Sequence, residues 1–310
     1  MEIILHIGPH KTGTTSVQTA FTKSASALRK RGFLYPKCNW NHPAQHRLAF
    51  AMKGGRAPGR GDTPDLEAEL AELTQTIASF RGERVLLSSE EFFSCPPAGI
   101  QRLQRALSGH EVRLVTFLRR PDNFLISSYN QKIKSSGNGF AFPIRRFLNN
   151  PRSIAPELSY ATCLERWCDV FGDKALTLST YEAAPPLDQL REMLDLSDTV
   201  PGEPQRLNAS VPGVVAEVMR LAKTIGMDPA RQKKLFQRAL TLFEGEPPFY
   251  VPDEDRRAVI AVFEEENTRL FARFGQDNPY TAAAMPSSPQ PERLHNIILP
   301  DLMRLIDDLI

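Results

Sequence analysis

The chain has 310 residues, enough for one large or two small domains with a sizeable buried core. A hydrophobic fraction of 41% and a charged fraction of 24% are ordinary globular values and exclude global disorder, a collagen-like chain and a membrane bundle. Thirty-eight Lys and Arg against 36 Asp and Glu leave a formal charge of +2, so no whole-molecule field for nucleic acid or anionic lipid is expected and any anion site must be local.

In chain order, residues 2–7 (EIILHI) form a short apolar run closed by Gly8-Pro9, the pattern of a buried strand. A helix is predicted from Thr14 to Arg31, with Val17, Phe21 and Leu28 on one side. Strands are predicted at 84–89, 112–118 and 175–180, and helices at 65–81, 100–108, 121–136 and 157–171. This alternation predicts an α/β fold in which a parallel sheet is covered by crossover helices. Beyond residue 205 only helical patterns remain, near 211–226, 228–243, 253–274 and 291–309. The expectation is one domain over 1–310, with an α/β nucleotide-binding core at 1–205 and a helical elaboration at 206–310. Residues 53–64 and 276–292 carry no periodic pattern and read as loops.

Cys38, Cys95, Cys163 and Cys168 are too sparse for a disulfide framework and form no CxxC pair, which fits a reducing compartment. The start, MEIILHIGP, lacks a basic region, a long apolar core and a small-residue cleavage site, and no apolar run approaches the roughly 18 residues of a membrane span. A cytoplasmic protein is therefore expected.

The segment Gly8-Pro9-His10-Lys11-Thr12-Gly13-Thr14-Thr15 lies between the first strand and the first helix. A strand, a glycine turn and a helix N-terminus make an anion cradle, because first-turn N–H groups lack intrahelical acceptors and the helix dipole favours negative charge. Gly13 permits close backbone approach, and Thr14 and Thr15 add hydroxyl donors. The G-x-x-x-x-G spacing matches the start of a Walker A loop, but Gly13 is followed by Thr14-Thr15 and the lysine sits inside the loop at Lys11. That displacement leaves the usual magnesium arrangement unsupported, so no metal is expected. A second anion clamp is read at Leu118-Arg119-Arg120-Pro121, where Arg119 leaves a strand at its C-terminal edge and Ser127 follows eight residues later. The alternative is that the arginines only cap the strand edge with solvated charge.

Together, HIGPHKTGTTSVQ and, about a hundred residues later, LRRPDNFLISSYNQ resemble the sulfotransferases that use 3′-phosphoadenosine-5′-phosphosulfate. The resemblance implies a three-layer P-loop NTPase-like sandwich. It also implies a 5′-phosphosulfate loop formed by Lys11, Thr12, Gly13, Thr14 and Thr15, and a 3′-phosphate site formed by Arg119 and Ser127. It directly covers residues 1–135, with a faint echo at Leu207-Asn208-Ala209-Ser210. The Trp that follows the Thr pair in the steroid and phenol enzymes is replaced by Ser16, and no late R-K-G segment is present, so the chain looks closer to the carbohydrate and bacterial type.

Sulfuryl transfer needs in-line attack, a base for the acceptor proton and stabilisation of charge on the leaving oxygen. Lys11 suits the last task. Glu90 is the favoured base, and desolvation beside Phe92 and Phe93 together with mutual repulsion is expected to raise the pKa of the Glu90–Glu91 pair. Glu91 and His46 are the alternatives, with His42 behind them; the competing reading is that both glutamates only cap the next helix. His10 is expected to line the site, His6 to be a core residue, and Trp40 and Trp167 to pack. The expected reaction transfers sulfuryl to a hydroxyl, or less readily an amine, of a small-molecule or carbohydrate acceptor, leaving adenosine 3′,5′-bisphosphate (PAP). The rivals are a P-loop small-molecule kinase using Mg-ATP, disfavoured because Asp62 and Asp65 fall in a loop, and a non-catalytic nucleotide-binding protein on the same fold. Acceptor contacts are expected from 33–64, 137–156 and the C-terminal helices. Arg145, Arg146 and Arg152 form either a basic rim or ordinary solvated surface.

Overall fold

The computed structural model describes residues 1–40, 43–57, 61–202, 211–246 and 250–287. The expected helix at 291–309, together with His42, Asn208 and Ser210, lies outside the described residues. The chain divides into two compact units. The first comprises Met1–Arg120, Ser159–Gln205 and Glu266–Asp277, and the second Pro121–Leu158, Arg206–Glu265 and Asn278–Ile310.

The first unit is built on a sheet of β1 (Glu2–His6), β2 (Phe33–Leu34), β3 (Arg84–Ser88), β4 (Glu111–Leu118) and β5 (Leu176–Thr180), in the order β2-β3-β1-β4-β5. Every pairing is parallel, so the fold is α/β with helices flanking a central parallel sheet, as expected. β1 is the middle strand and is covered on both faces, which is why its apolar run is continuous. Ile3, Ile4, Leu5 and Ile7 are all fully buried. In the β1 ladder His6 stands opposite Ser88 on one side and Val115 on the other. The C-terminal ends of β1, β3 and β4 therefore share one sheet edge.

Helix Thr14–Lys23 turns Val17 and Phe21 into the core, where Phe21 meets Phe33 and Tyr35 and the cluster continues to Leu187 and Leu190 of helix Pro186–Met193. Elsewhere in this unit Phe92 and Phe93 meet the edges of Trp167 and Tyr160 on helix Tyr160–Phe171. The expected helix over 14–31 is interrupted at Ser24, although hydrogen bonding runs through it from Ser24 N to Ala20 O and from Leu28 N to Ser24 O. Among the described residues, some elements carry too little periodicity to register in the sequence. They include the two-residue β2 and the eight-residue helices His46–Lys53 and Pro186–Met193.

The second unit contains helices Pro121–Lys134, Gly213–Thr224 and Pro229–Leu242, and the part of helix Asp253–Arg273 up to Glu265. Buried polar ties help to hold it. Arg256 Nε lies 2.8 Å from the buried Asp122 carboxylate. The ammonium of Lys223, only 7% exposed, donates to Lys132 O, Ser135 O and Asn138 Oδ1, and burial lowers its pKa to about 8.

Helix Pro97–Ala106 approaches helix His46–Lys53 through Gly99, where a Cβ would lie 2.6 Å from Met52 O and 2.9 Å from Met52 Cβ. Gly99→Ala must displace backbone, and a loss of about 1–3 kcal/mol is expected in chemical denaturation. An unchanged denaturation midpoint would contradict this packing.

Candidate active site

The loop after β1 is fixed by left-handed backbone at two positions. Lys11 has φ 66° and Gly13 has φ 73°, and Gly13 serves as the N-cap of helix Thr14–Lys23. Its carbonyl accepts from Ser16 N and Val17 N at 3.1 and 3.3 Å. The fully buried Thr12 donates its hydroxyl to Pro9 O at 2.7 Å, closing the turn. Left-handed residues before a helix N-terminus turn successive N–H groups inward, a concavity that suits an anion.

Arg119, directly after β4, braces this loop by donating from Nη1 to Lys11 O at 2.7 Å. Its guanidinium lies 4.5 Å from the centre of the Tyr181 ring, and its own carbonyl accepts from the Tyr160 hydroxyl at 2.6 Å. Its Nε is buried with no hydrogen-bond partner among the described residues, although a buried guanidinium N–H is costly to leave unsatisfied. That donor and the left-handed cradle fit a polyanionic ligand.

Glu90 and Glu91 follow β3 in the 3₁₀ turn Glu90–Ser94, whose N-cap Ser89 accepts from Glu91 N at 3.1 Å. The two carboxylates have different partners. Glu91 accepts from Lys53 Nζ at 2.6 Å and lies 3.3 Å from His10 Nε2. Burial raises its pKa, but the hydrogen bonds and charges of His10 and Lys53 outweigh burial and hold it down at about 2. The rise expected from pairing with Glu90 is thus reversed at Glu91, because Lys53 supplies the compensating charge.

Glu90 Oε2 accepts from Gln18 Nε2 at 2.9 Å and lies 3.8 Å from His46 Nε2, while Oε1 lies 3.9 Å from His10 Nδ1. His46 Nδ1 is 2.7 Å from Ser89 Oγ, and burial lowers the His46 pKa below 6.5. His6 is a core residue as expected, fully buried with its pKa lowered to about 4 by desolvation, and its Nδ1 is 2.9 Å from Ser88 Oγ.

Lys11, Thr12, Gly13, Thr14, Thr15, Arg119, Glu90, Glu91 and His46 all belong to the first unit. Ser127 lies half-buried on helix Pro121–Lys134 in the second. The three arginines are exposed surface residues, as the second of the two readings expects, and each has local partners. Arg145 pairs with Asp255 and Glu254, Arg146 lies over the Phe142 ring, and Arg152 lies over Phe263 and donates to Val262 O. Sequence reasoning missed Gln18, Lys53, Ser89 and Tyr181. Only Gln18 left a signal there, as a polar residue on the apolar face of the first helix, beside Val17 and Phe21.

Among the described residues no group of three or more His, Cys, Asp or Glu is arranged to hold a metal ion, and no helix is long and apolar enough to cross a membrane. A solved structure of a sulfotransferase from Alicyclobacillus acidocaldarius aligns with 88% of this chain and 96% of its own, with a TM-score of 0.51 and 18% identity. The fold is sulfotransferase-like. No protein-family model matches the sequence, and no curated protein matches it.

The Glu91 pair sets a pH window. Above its ordinary value of 4.5 the carboxylate is charged both folded and unfolded, and its full contribution is present; that contribution is lost as the pH falls through about 2. The destabilisation caused by Glu91→Gln in urea unfolding should therefore be largest above pH 4.5 and fade towards pH 2. An effect that stays constant across that window would mean that the charge pair contributes nothing.

Proposed function

We propose that this chain is a sulfotransferase that moves a sulfuryl group from 3′-phosphoadenosine-5′-phosphosulfate to an acceptor hydroxyl, and less readily to an amine. The observation that carries the reading is the sharing of one sheet edge by an anion cradle and a carboxylate. The cradle follows β1, Glu90 follows β3 and Arg119 follows β4, all parallel strands. In open α/β sheets ligands bind outside this carboxyl edge. The fit to the two sulfotransferase motifs and the sulfotransferase-like fold support the same reading.

When bound, the donor supplies an activated sulfuryl group on a phosphate leaving group. The backbone of the Lys11–Thr15 turn and the hydroxyls of Thr14 and Thr15 would hold its 5′ end. Lys11 would offset the negative charge that grows on the bridging oxygen as the sulfur–oxygen bond breaks. Arg119 is assigned to the 3′-phosphate, and Ser127 joins it on the strength of the motif alone. Glu90 would take the acceptor's proton as the new oxygen–sulfur bond forms, with no covalent enzyme intermediate. Two features favour Glu90 over its neighbours. Glu91 is held as a carboxylate by Lys53 and His10, and His46 is engaged with Ser89. The acceptor is a small molecule or carbohydrate.

The test measures PAP release across a panel of saccharides, phenols and amines. Lys11→Ala and Glu90→Gln should each lower turnover by about 100-fold or more, in the range typical of a lost charge stabiliser or general base. Glu91→Gln and His46→Asn should cost less than about 10-fold, as residues outside the proton transfer. Wild-type turnover in Lys11→Ala or Glu90→Gln would overturn the role assigned to that residue.

A further inference from the structure

We infer that Gln18 is a positioning residue for the transfer, holding the Glu90 carboxylate in register with the anion cradle; this rests on the sulfotransferase reading. Gln18 lies in the second turn of helix Thr14–Lys23 and is only 2% exposed. It shares the buried face of that helix with Thr14, Val17 and Phe21. An amide on such a face costs stability unless its donors are satisfied, and an apolar residue would pack there without that cost. The amide is spent on the carboxylate. Gln18 Nε2 donates to Glu90 Oε2 at 2.9 Å and more weakly to Ser88 Oγ at 3.4 Å, and Ser88 Oγ is in turn 2.9 Å from His6 Nδ1.

Each link in this chain lies on a regular element. His6 ends β1, Ser88 ends β3, and Gln18 sits on the helix whose first turn forms the cradle. At a rise of about 1.5 Å per residue, the amide stands about 7–8 Å along the axis from the N-cap. One rigid helix thus offers N–H groups to the donor at its start and a hydrogen bond to the base one turn later. With Gln18 donating to Oε2, Oε1 is the oxygen assigned to take the acceptor's proton. A misplacement of about 1 Å in such an arrangement costs on the order of 100-fold in rate.

Three variants, Gln18→Leu, Gln18→Glu and Gln18→Leu combined with Glu90→Gln, test this. The readouts are thermal unfolding, calorimetric PAP affinity, and turnover with the best acceptor of the saccharide and phenol panel. Gln18→Leu should lower kcat by about 10–100-fold while acceptor KM and PAP Kd stay within about threefold. Gln18→Glu, similar in shape but unable to donate when ionised, should lose at least as much and serves if the leucine variant fails to fold. On the Glu90→Gln background the leucine substitution should add less than about threefold, because the two residues act as one unit. Wild-type kcat in the Gln18 variants would overturn the inference, as would a full additional loss on the Glu90→Gln background, the mark of a merely structural role. A wild-type protein that transfers sulfuryl to nothing, or a Glu90→Gln variant at the wild-type rate, would instead overturn the sulfotransferase reading or the role of Glu90, and the positioning role would fall with it.

Discussion

The site depends on a backbone constraint, the left-handed turn at Lys11 and Gly13 that carries β1 into helix Thr14–Lys23. For glycine this conformation is free, but for lysine it costs on the order of 1–2 kcal/mol, so the surroundings must hold Lys11 in place. Two hydrogen bonds contribute, and Gly13 beside it is closely packed. Arg119 donates to the Lys11 carbonyl, Thr12 donates to Pro9 O within the turn, and Pro186 and Tyr181 lie 3.4 and 3.6 Å from where a Gly13 Cβ would be. The strain is thus stored where the backbone must present N–H groups and a lysine together, and the grip of Arg119 links the end of β4 to the turn after β1.

A second layer of organisation is electrostatic. A net charge of +2 gives the whole molecule little field, so the balance is struck locally. Two adjacent carboxylates stand on the same sheet edge as the cradle, and left alone they would oppose an anionic ligand. Lys53 and His10 offset Glu91, while Glu90 is held by a neutral amide and flanked by His10 and His46. The two glutamates thus have unlike surroundings, one carboxylate locked into a charge pair and the other held by a neutral amide. His6, buried and neutral over most of the pH range, supports Ser88 from the strand below without adding charge.

How much of this was legible in the sequence follows from how local each feature is. The cradle is written in contiguous residues, a strand, a glycine turn and a helix start, so Lys11, Gly13 and the Thr pair could be read directly. Arg119 was legible as a strand-end residue, yet its hydrogen bond to Lys11 O spans 108 positions and left no trace. The difference between Glu90 and Glu91 was not legible at all. It is set by Gln18 and Lys53, which lie 72 and 38 positions away and are joined to the glutamates only by the folded sheet. Likewise the helix that His46 begins left no sequence signal, because its eight residues are shorter than a full periodic window. The arginines at 145, 146 and 152 show the converse. A basic cluster in the sequence acquired acidic, aromatic and carbonyl partners in the fold.

The most direct measurement of the central claim is calorimetric titration of the wild-type protein with PAP and, separately, with ATP, each with and without Mg²⁺. A cradle that holds a nucleotide with phosphates at both ends predicts PAP binding at micromolar or tighter affinity, indifferent to Mg²⁺ and stronger than that of ATP. Preference for Mg-ATP with no binding of PAP would contradict the account and make the Lys11 loop a kinase-type phosphate loop instead.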